Sequence, residues 1–247
     1  MLNTSIDILV PAFIAGILVL STHVPLGKLV LERGIVFIDL AIAQVAGLGV
    51  VAADFAGFEP TGWSVQASAA LAALAAAAFL VWTERRLPAV QEAIIGVVFV
   101  VAASAEILLL SFHPHGAEQL KDLLVGQILW VSPADLTPVA VLYAALLAVI
   151  FLGGIRKRRV VFYVVFALAV TASVQLVGIY LVFASLILPA LAAHRLSVAY
   201  AVGVAGYVVG LAGSLFLDLP TGAAVVCALA LVTALFVAAR AAIQPAG

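Results

Sequence analysis

Charge is what this chain has least of. Eleven Lys and Arg and twelve Asp and Glu make up only 9% of its 247 residues. A soluble domain carries about 25% charged residues, so an ordinary water-soluble fold is excluded. The net charge is −1 and no basic tract of useful length occurs, which argues against a nucleic-acid partner. The single cysteine, Cys227, lies in an apolar run. An internal disulfide and a cysteine-based metal site are therefore both excluded. No G-x-x-x-x-G-K-[ST] stretch is present, so the chain has no phosphate-binding loop of that type. The N-terminus lacks a basic n-region, so no cleavable signal peptide is expected, and Ile8 onward reads as the first span.

What is present is apolar. Two thirds of the residues are hydrophobic and the mean hydropathy is +1.32. A bilayer with a core of ~30 Å accepts such a chain at ~20 apolar residues per helix. Apolar segments fall at about 8–31, 35–55, 64–83, 90–112, 136–154, 160–177, 179–193, 198–217 and 221–242. Their continuity argues for helices, because a spanning strand alternates with period two. The expected fold is an all-α polytopic transmembrane bundle of about nine (eight to nine) segments, forming one domain over 1–247. The seventh segment is short and meets Pro189, so half-insertion is an alternative to a full crossing.

Lys28, Arg33, Arg85, Arg86, Arg156–Arg159, Arg195 and Arg240 all follow odd-numbered segments, and only Lys121 does not. Positive residues stay on the cytoplasmic side. The N-terminus is therefore expected outside and the C-terminus in the cytoplasm, which needs an odd number of crossings and favours nine. Small residues, including Gly203, Gly206, Gly210 and Gly213, allow helices to approach closely. They suit a compact bundle, and the last two segments also offer faces for a second copy.

Polar residues inside spans are costly and need a partner, water or a function. His23 precedes Pro25, which removes a helical donor and loosens the carbonyl one turn back. His23 is either bonded to that loosened backbone or lines a pathway. Asp39 lies a few residues past Arg33, so a salt bridge, snorkelling or a functional role remain open. Gln44 sits deeper, as helix–helix glue or as pathway lining. Glu106 interrupts VVFVVAASAEILLLSF and is too short to reach the headgroups. It needs a proton, a partner or water. Glu92 opens the same helix, where the N-terminal dipole accepts a carboxylate.

Outside the fourth segment comes His113-Pro-His115-Gly-Ala-Glu118. Its two imidazoles and carboxylate can touch a transition metal, or be plain surface. Both histidines are expected to be exposed. Residues 120–136 alternate apolar and polar groups around Trp130. They read as a short amphipathic helix at the outer interface, followed by a Ser132-Pro133 helix start.

These features occur in a recognisable order. Gly16-Ile-Leu with Pro25-Leu26-Gly27, then Asp39 to Val50, then Glu92-Ala-Ile-Ile-Gly96, come first. Gly126-Gln-Ile-Leu-Trp-Val-Ser-Pro-Ala-Asp135 follows. Val177-Gly178, Leu186-Ile-Leu-Pro189-Ala and Asp218-Leu-Pro-Thr-Gly222 complete the set. Over nearly its whole length the chain resembles the membrane subunit of bacterial ABC importers for zinc, manganese and iron. The resemblance implies two copies lining one path in the bacterial cytoplasmic membrane. It implies cytoplasmic ATP-binding subunits that hydrolyse ATP, and an extracytoplasmic binding protein that delivers the metal. The chain itself would be no enzyme and would carry no intrinsic cofactor.

Two departures from the family pattern stand out. The family's second helix commonly carries D-x-x-x-H facing the path. Counted without gaps from Pro25, those positions are Leu40 and Gln44. Asp39 is one residue early and points about 140° away from Gln44. The family also places a short coupling helix in a cytoplasmic connection, and here 153–159 is too short for one. Arg156, Lys157, Arg158 and Arg159 can still meet acidic groups of an ATPase or anionic lipid, or serve only to orient the chain. The metal-site candidates are Asp39, Gln44, Glu106, His113 and His115, with His23 as a pathway candidate. The alternatives are an ATPase-independent secondary transporter with Glu106 as proton site, and a non-transporting membrane subunit.

Overall fold

The computed structural model describes residues 2–58, 63–113 and 115–243. Among the described residues ten α-helices follow one another: α1 (Leu2–Arg33), α2 (Ile38–Phe55), α3 (Trp63–Arg86), α4 (Gln91–Leu110), α5 (Gly116–Val125), α6 (Pro133–Leu152), α7 (Arg159–Val177), α8 (Ile179–Ala192), α9 (Leu196–Leu217) and α10 (Thr221–Ile243). Among the described residues there is no strand. Eight of the helices are long and apolar enough to cross a membrane, and the chain is an all-α polytopic bundle. The expected segments coincide with nine of the ten helices, within a few residues at most ends.

The ninth, α8, has 14 residues and spans about 21 Å. Pro189 does not end it, since the helix continues to Ala192. It begins beside Gly126 at one end of the bundle and leads to His194, whose carbonyl accepts from Lys28 Nζ near the other. It runs inside the bundle against α1, α2, α5, α7, α9 and α10. It therefore connects the two ends without the length of an ordinary span.

The two ends differ in chemistry. At one, Arg156 pairs with Glu32 at 2.7 Å and Arg159 with Glu84 at 3.6 Å. The Arg33 guanidinium lies 4.3 Å from the centre of the Phe162 ring. These contacts bring together the connections that the basic residues marked as one side. At the other end Gln119 donates to Asp54 Oδ2 at 3.3 Å, and Gly126 meets Gly178. Both glycines have positive φ, 72° and 79°, and a side chain on either would strike the backbone of the other.

The amphipathic helix lies earlier than expected, at Gly116–Val125, and stops at Gly126. Ile128–Trp130 form a separate 3-10 turn. The start of α6 is as expected: Asp135 Oδ2 accepts from Ser132 N at 2.9 Å and from Ser132 Oγ at 2.6 Å. The stretch 153–158 is a turn without a helix. Gly206 and Gly210 of α9 are spent inside the molecule, where added side chains would strike Leu229 and Val225 of α10. Gly203 faces Leu20 of α1 in the same way. These three build the bundle, while Gly213 faces open space.

Candidate functional site

The face of α2 that carries Leu40 and Gln44 borders a cavity of about 460 Å³. Ala103 and Ile107 of α4 form one wall, and Phe183 and Ala184 of α8 form another. Helix α5 closes one end through Leu124, and Val226 of α10 completes the lining. Tyr180 and Ile107 are half exposed and mark its open side. The lining is aliphatic and aromatic except for Gln44 and the Tyr180 hydroxyl, and no ionisable carboxylate, imidazole or thiol borders it.

Gln44 is 3% exposed, and its Oε1 has no hydrogen-bond partner. It therefore does not act as hydrogen-bonded glue between helices. A buried amide oxygen without a donor forfeits about 1–3 kcal/mol. The 100° helical step explains why Leu40 and Gln44 share this wall while Asp39 does not.

Asp39 is fully buried and neither of its oxygens has a partner. The expected salt bridge or snorkelling does not occur, because Arg33 is engaged with Phe162 and with the carbonyl of Arg156 at 3.2 Å. Glu106 is also fully buried with both oxygens unpaired. It packs against Gly47 of α2, where a side chain would come within 2.8 Å of Glu106 Oε1. The missing Cβ of Gly47 is what makes room for the carboxyl.

His23 is placed differently. Its Nδ1 lies 2.9 Å from the Val19 carbonyl and its Nε2 lies 3.1 Å from Ser173 Oγ. Ser173 in turn bonds Tyr143 of α6, whose hydroxyl is 2.9 Å from the Ala169 carbonyl. The carbonyl that Pro25 loosens belongs to Ser21, four residues back. The Tyr200 hydroxyl takes it at 2.7 Å, so His23 does not bond the loosened carbonyl. Sequence reasoning missed Tyr143 and Ser173. Tyr143 shows only as a lone hydroxyl in an apolar run, and Ser173 as one of three polar residues, with Thr171 and Gln175, in the second half of α7.

The outer histidines do not converge. His113 Nε2 lies 3.9 Å from Asp54 Oδ2, and His115 Nδ1 lies 4.0 Å from Glu118 Oε2. His115 is exposed as expected, whereas His113 is half-buried against the end of α2. Among the described residues no three His, Cys, Asp or Glu gather as a metal site. At the opposite end Arg156 and Arg159 are held in ion pairs, while Lys157 and Arg158 are exposed.

A family model described as "ABC 3 transport family" matches residues 5–158 and 154–241. The chain belongs to the ABC 3 transport family. It is a multi-pass membrane protein and an ABC-type permease. Among solved structures it is similar to PsaBC from Streptococcus pneumoniae, solved in complex with Fab. That match has a TM-score of 0.73 at 22% identity and covers 96% of this chain and 95% of that one. A second similar structure is an inward-facing conformation of a transporter described as metal-chelate type ABC. Its TM-score is 0.56 at 12% identity, covering 96% of this chain and 78% of that one. At these identities the likeness concerns the fold. In this ABC 3 permease Leu40 and Gln44, the two positions that the resemblance sets against a path-facing pattern, both line the cavity.

Proposed function

We propose that the chain is the permease subunit of an ABC importer for a divalent metal, zinc or manganese, working by alternating access. The cavity on the Leu40/Gln44 face carries this reading. It lies within the bundle, on the helix face that the family pattern assigns to the path. Family membership and the ordered sequence features support the same assignment, as does the metal-chelate description of one structural relative. Two copies would complete the path, and the fold exposes enough apolar surface on α4 and α6 for a contact in the membrane. Separate ATP-binding subunits would hydrolyse ATP and dock at the basic end, where Lys157 and Arg158 are free to meet acidic groups. That end would face the cytoplasm of the bacterial inner membrane by the positive-inside rule. The opposite end, with Asp54, His113 and α5, would receive the extracytoplasmic binding protein.

Reconstitution in proteoliposomes with candidate ATPase and metal-binding-protein subunits tests this reading. Uptake of radioactive zinc or manganese should require ATP and both partners. A second reading rests on Glu106, a buried carboxyl without a partner: a proton-coupled carrier needing no ATPase. Uptake driven by a proton gradient alone, and lost in Glu106→Gln, would replace the first reading by the second.

A further inference from the structure

At the end of the bundle away from the basic turns, three parts of the chain bring polar groups to one point. Asp54 lies in the last turn of α2, His113 follows the end of α4, and Gln119 lies on α5. His113 Nε2 faces Asp54 Oδ2 at 3.9 Å, and the two side chains are 29% and 20% exposed. That separation is too long for a hydrogen bond, and both side chains are open in part to an ion arriving from this end. Two atoms bound to one zinc ion at about 2.1 Å stand roughly 3.4 Å apart at the tetrahedral angle. A movement of about half an ångström therefore lets one ion take both atoms. The two side chains are also held in place. The His113 ring meets Phe55 edge-on, with 6.1 Å between ring centres. Gln119 Nε2 donates to Asp54 Oδ2 at 3.3 Å, the kind of outer hydrogen bond that orients a metal-binding carboxylate. The neighbouring His115 and Glu118 have a similar spacing, 4.0 Å, but are 82% and 76% exposed, so packing does not fix them.

We propose that Asp54 and His113 together bind one divalent transition-metal ion, with water completing its shell and Gln119 orienting the carboxylate. An imidazole nitrogen beside a carboxylate oxygen suits zinc or manganese. Magnesium and calcium take oxygen ligands, so the imidazole favours the transition metals over them. Two protein ligands leave several positions to water, so the ion is held weakly and exchanges readily. This suits a point of arrival better than a store. The site also touches the two elements that border the cavity from this end: Asp54 belongs to α2, and α5 lines the cavity through Leu120 and Leu124. As a point of arrival for cargo it rests on the metal-importer reading above. As a binding site it stands on the geometry of Asp54, His113 and Gln119 alone.

The test uses the full chain in nanodiscs, dialysed to equilibrium against zinc chloride or manganese chloride with magnesium chloride in excess. Empty nanodiscs give the lipid background. At least one of the two metals should bind saturably, one ion per chain. Asp54→Asn and His113→Ala should each weaken binding at least tenfold, and Gln119→Leu should weaken it about tenfold by releasing the carboxylate. His115→Ala and Glu118→Gln should leave it unchanged. Gln119→Glu sets a second carboxylate beside Asp54 and should tighten binding. Cobalt chloride, as a spectroscopic probe, should give a visible absorption band that disappears in His113→Ala. Absence of saturable binding, or binding undiminished in both Asp54→Asn and His113→Ala, would overturn the proposal and leave a plain contact between α2 and the end of α4. So would a folded Gln119→Glu variant with unchanged affinity. ATP-dependent uptake judges the importer reading separately, because the dialysis uses no ATPase and measures no flux.

Discussion

Two sets of buried polar groups lie in the same bundle and differ in one respect. On the side of α1, α6 and α7, His23, Ser173 and Tyr143 join into a chain of hydrogen bonds that ends on the Val19 and Ala169 carbonyls. On the side of α2 and α4, the oxygens of Asp39 and Glu106 and the Gln44 amide oxygen have no partner at all. Both sets are equally buried, so burial does not separate structure from function here. Satisfaction does. A completed network has no bonding capacity left over, whereas an orphan group keeps its capacity intact.

The sharpest way to break this contrast is to convert the orphan wall into a ligand set. Leu40→Asp with Gln44→His places two ligands at i and i+4 on the cavity wall. Calorimetry in nanodiscs should show zinc binding at least 100-fold tighter than in the natural chain. The gain should fade at acidic pH, where both new ligands take protons. A folded double variant without added affinity would mean that these two positions do not present their side chains together on a cation-accessible face.

Next in size is damage to the completed network. Ser173→Ala leaves the His23 Nε2 and the Tyr143 hydroxyl short of a partner, and should cost about 2 kcal/mol in reversible unfolding. Tyr143→Phe removes one donor whose carbonyl acceptor, that of Ala169, is also bonded by Ser173 Oγ at 2.6 Å. It should cost about 1 kcal/mol or less, in line with hydrogen bonds inside membranes. On the orphan side, Asp39→Asn breaks no bond. It should leave stability unchanged or raise it by up to about 1 kcal/mol, since an unpaired carboxyl within a span is unfavourable. Equal losses for Ser173→Ala and Asp39→Asn would remove the distinction between the two sets.

Helix positions were legible because a spanning segment writes its length and apolarity locally. The start of α6 was legible too, in Ser132 and Pro133, although the part Asp135 plays in its cap was not. What the sequence withheld was every partner supplied from far along the chain. Ser173 meets His23 across 150 residues, and nothing near His23 announces it. Gln44 looked like glue because glue and pathway lining use the same amide, and only the arrangement of α4 and α8 separates them. Gly126 is a local stop signal for α5, but its contact with Gly178 is one that no local propensity encodes. The α9 glycines were read as faces for a second copy, since a small residue does not reveal which helix fills it.

The smallest effect belongs outside the membrane. Replacing His113 and His115 with alanine should change stability by less than about 0.5 kcal/mol, as at most surface sites. If delivery passes over this loop, uptake should fall at limiting metal and recover at high metal. Unchanged uptake at both concentrations would leave the two histidines as surface residues.

Gly126 and Gly178 together behave as a single heritable locus. Each occupies the space that the other's side chain would need, so a substitution at one cannot be rescued by any residue at the second. A population sampling variants of this chain would find both positions closed at once. The loop after α5 and the turn into α8 are therefore bound to drift as one unit, although 52 positions of sequence separate them.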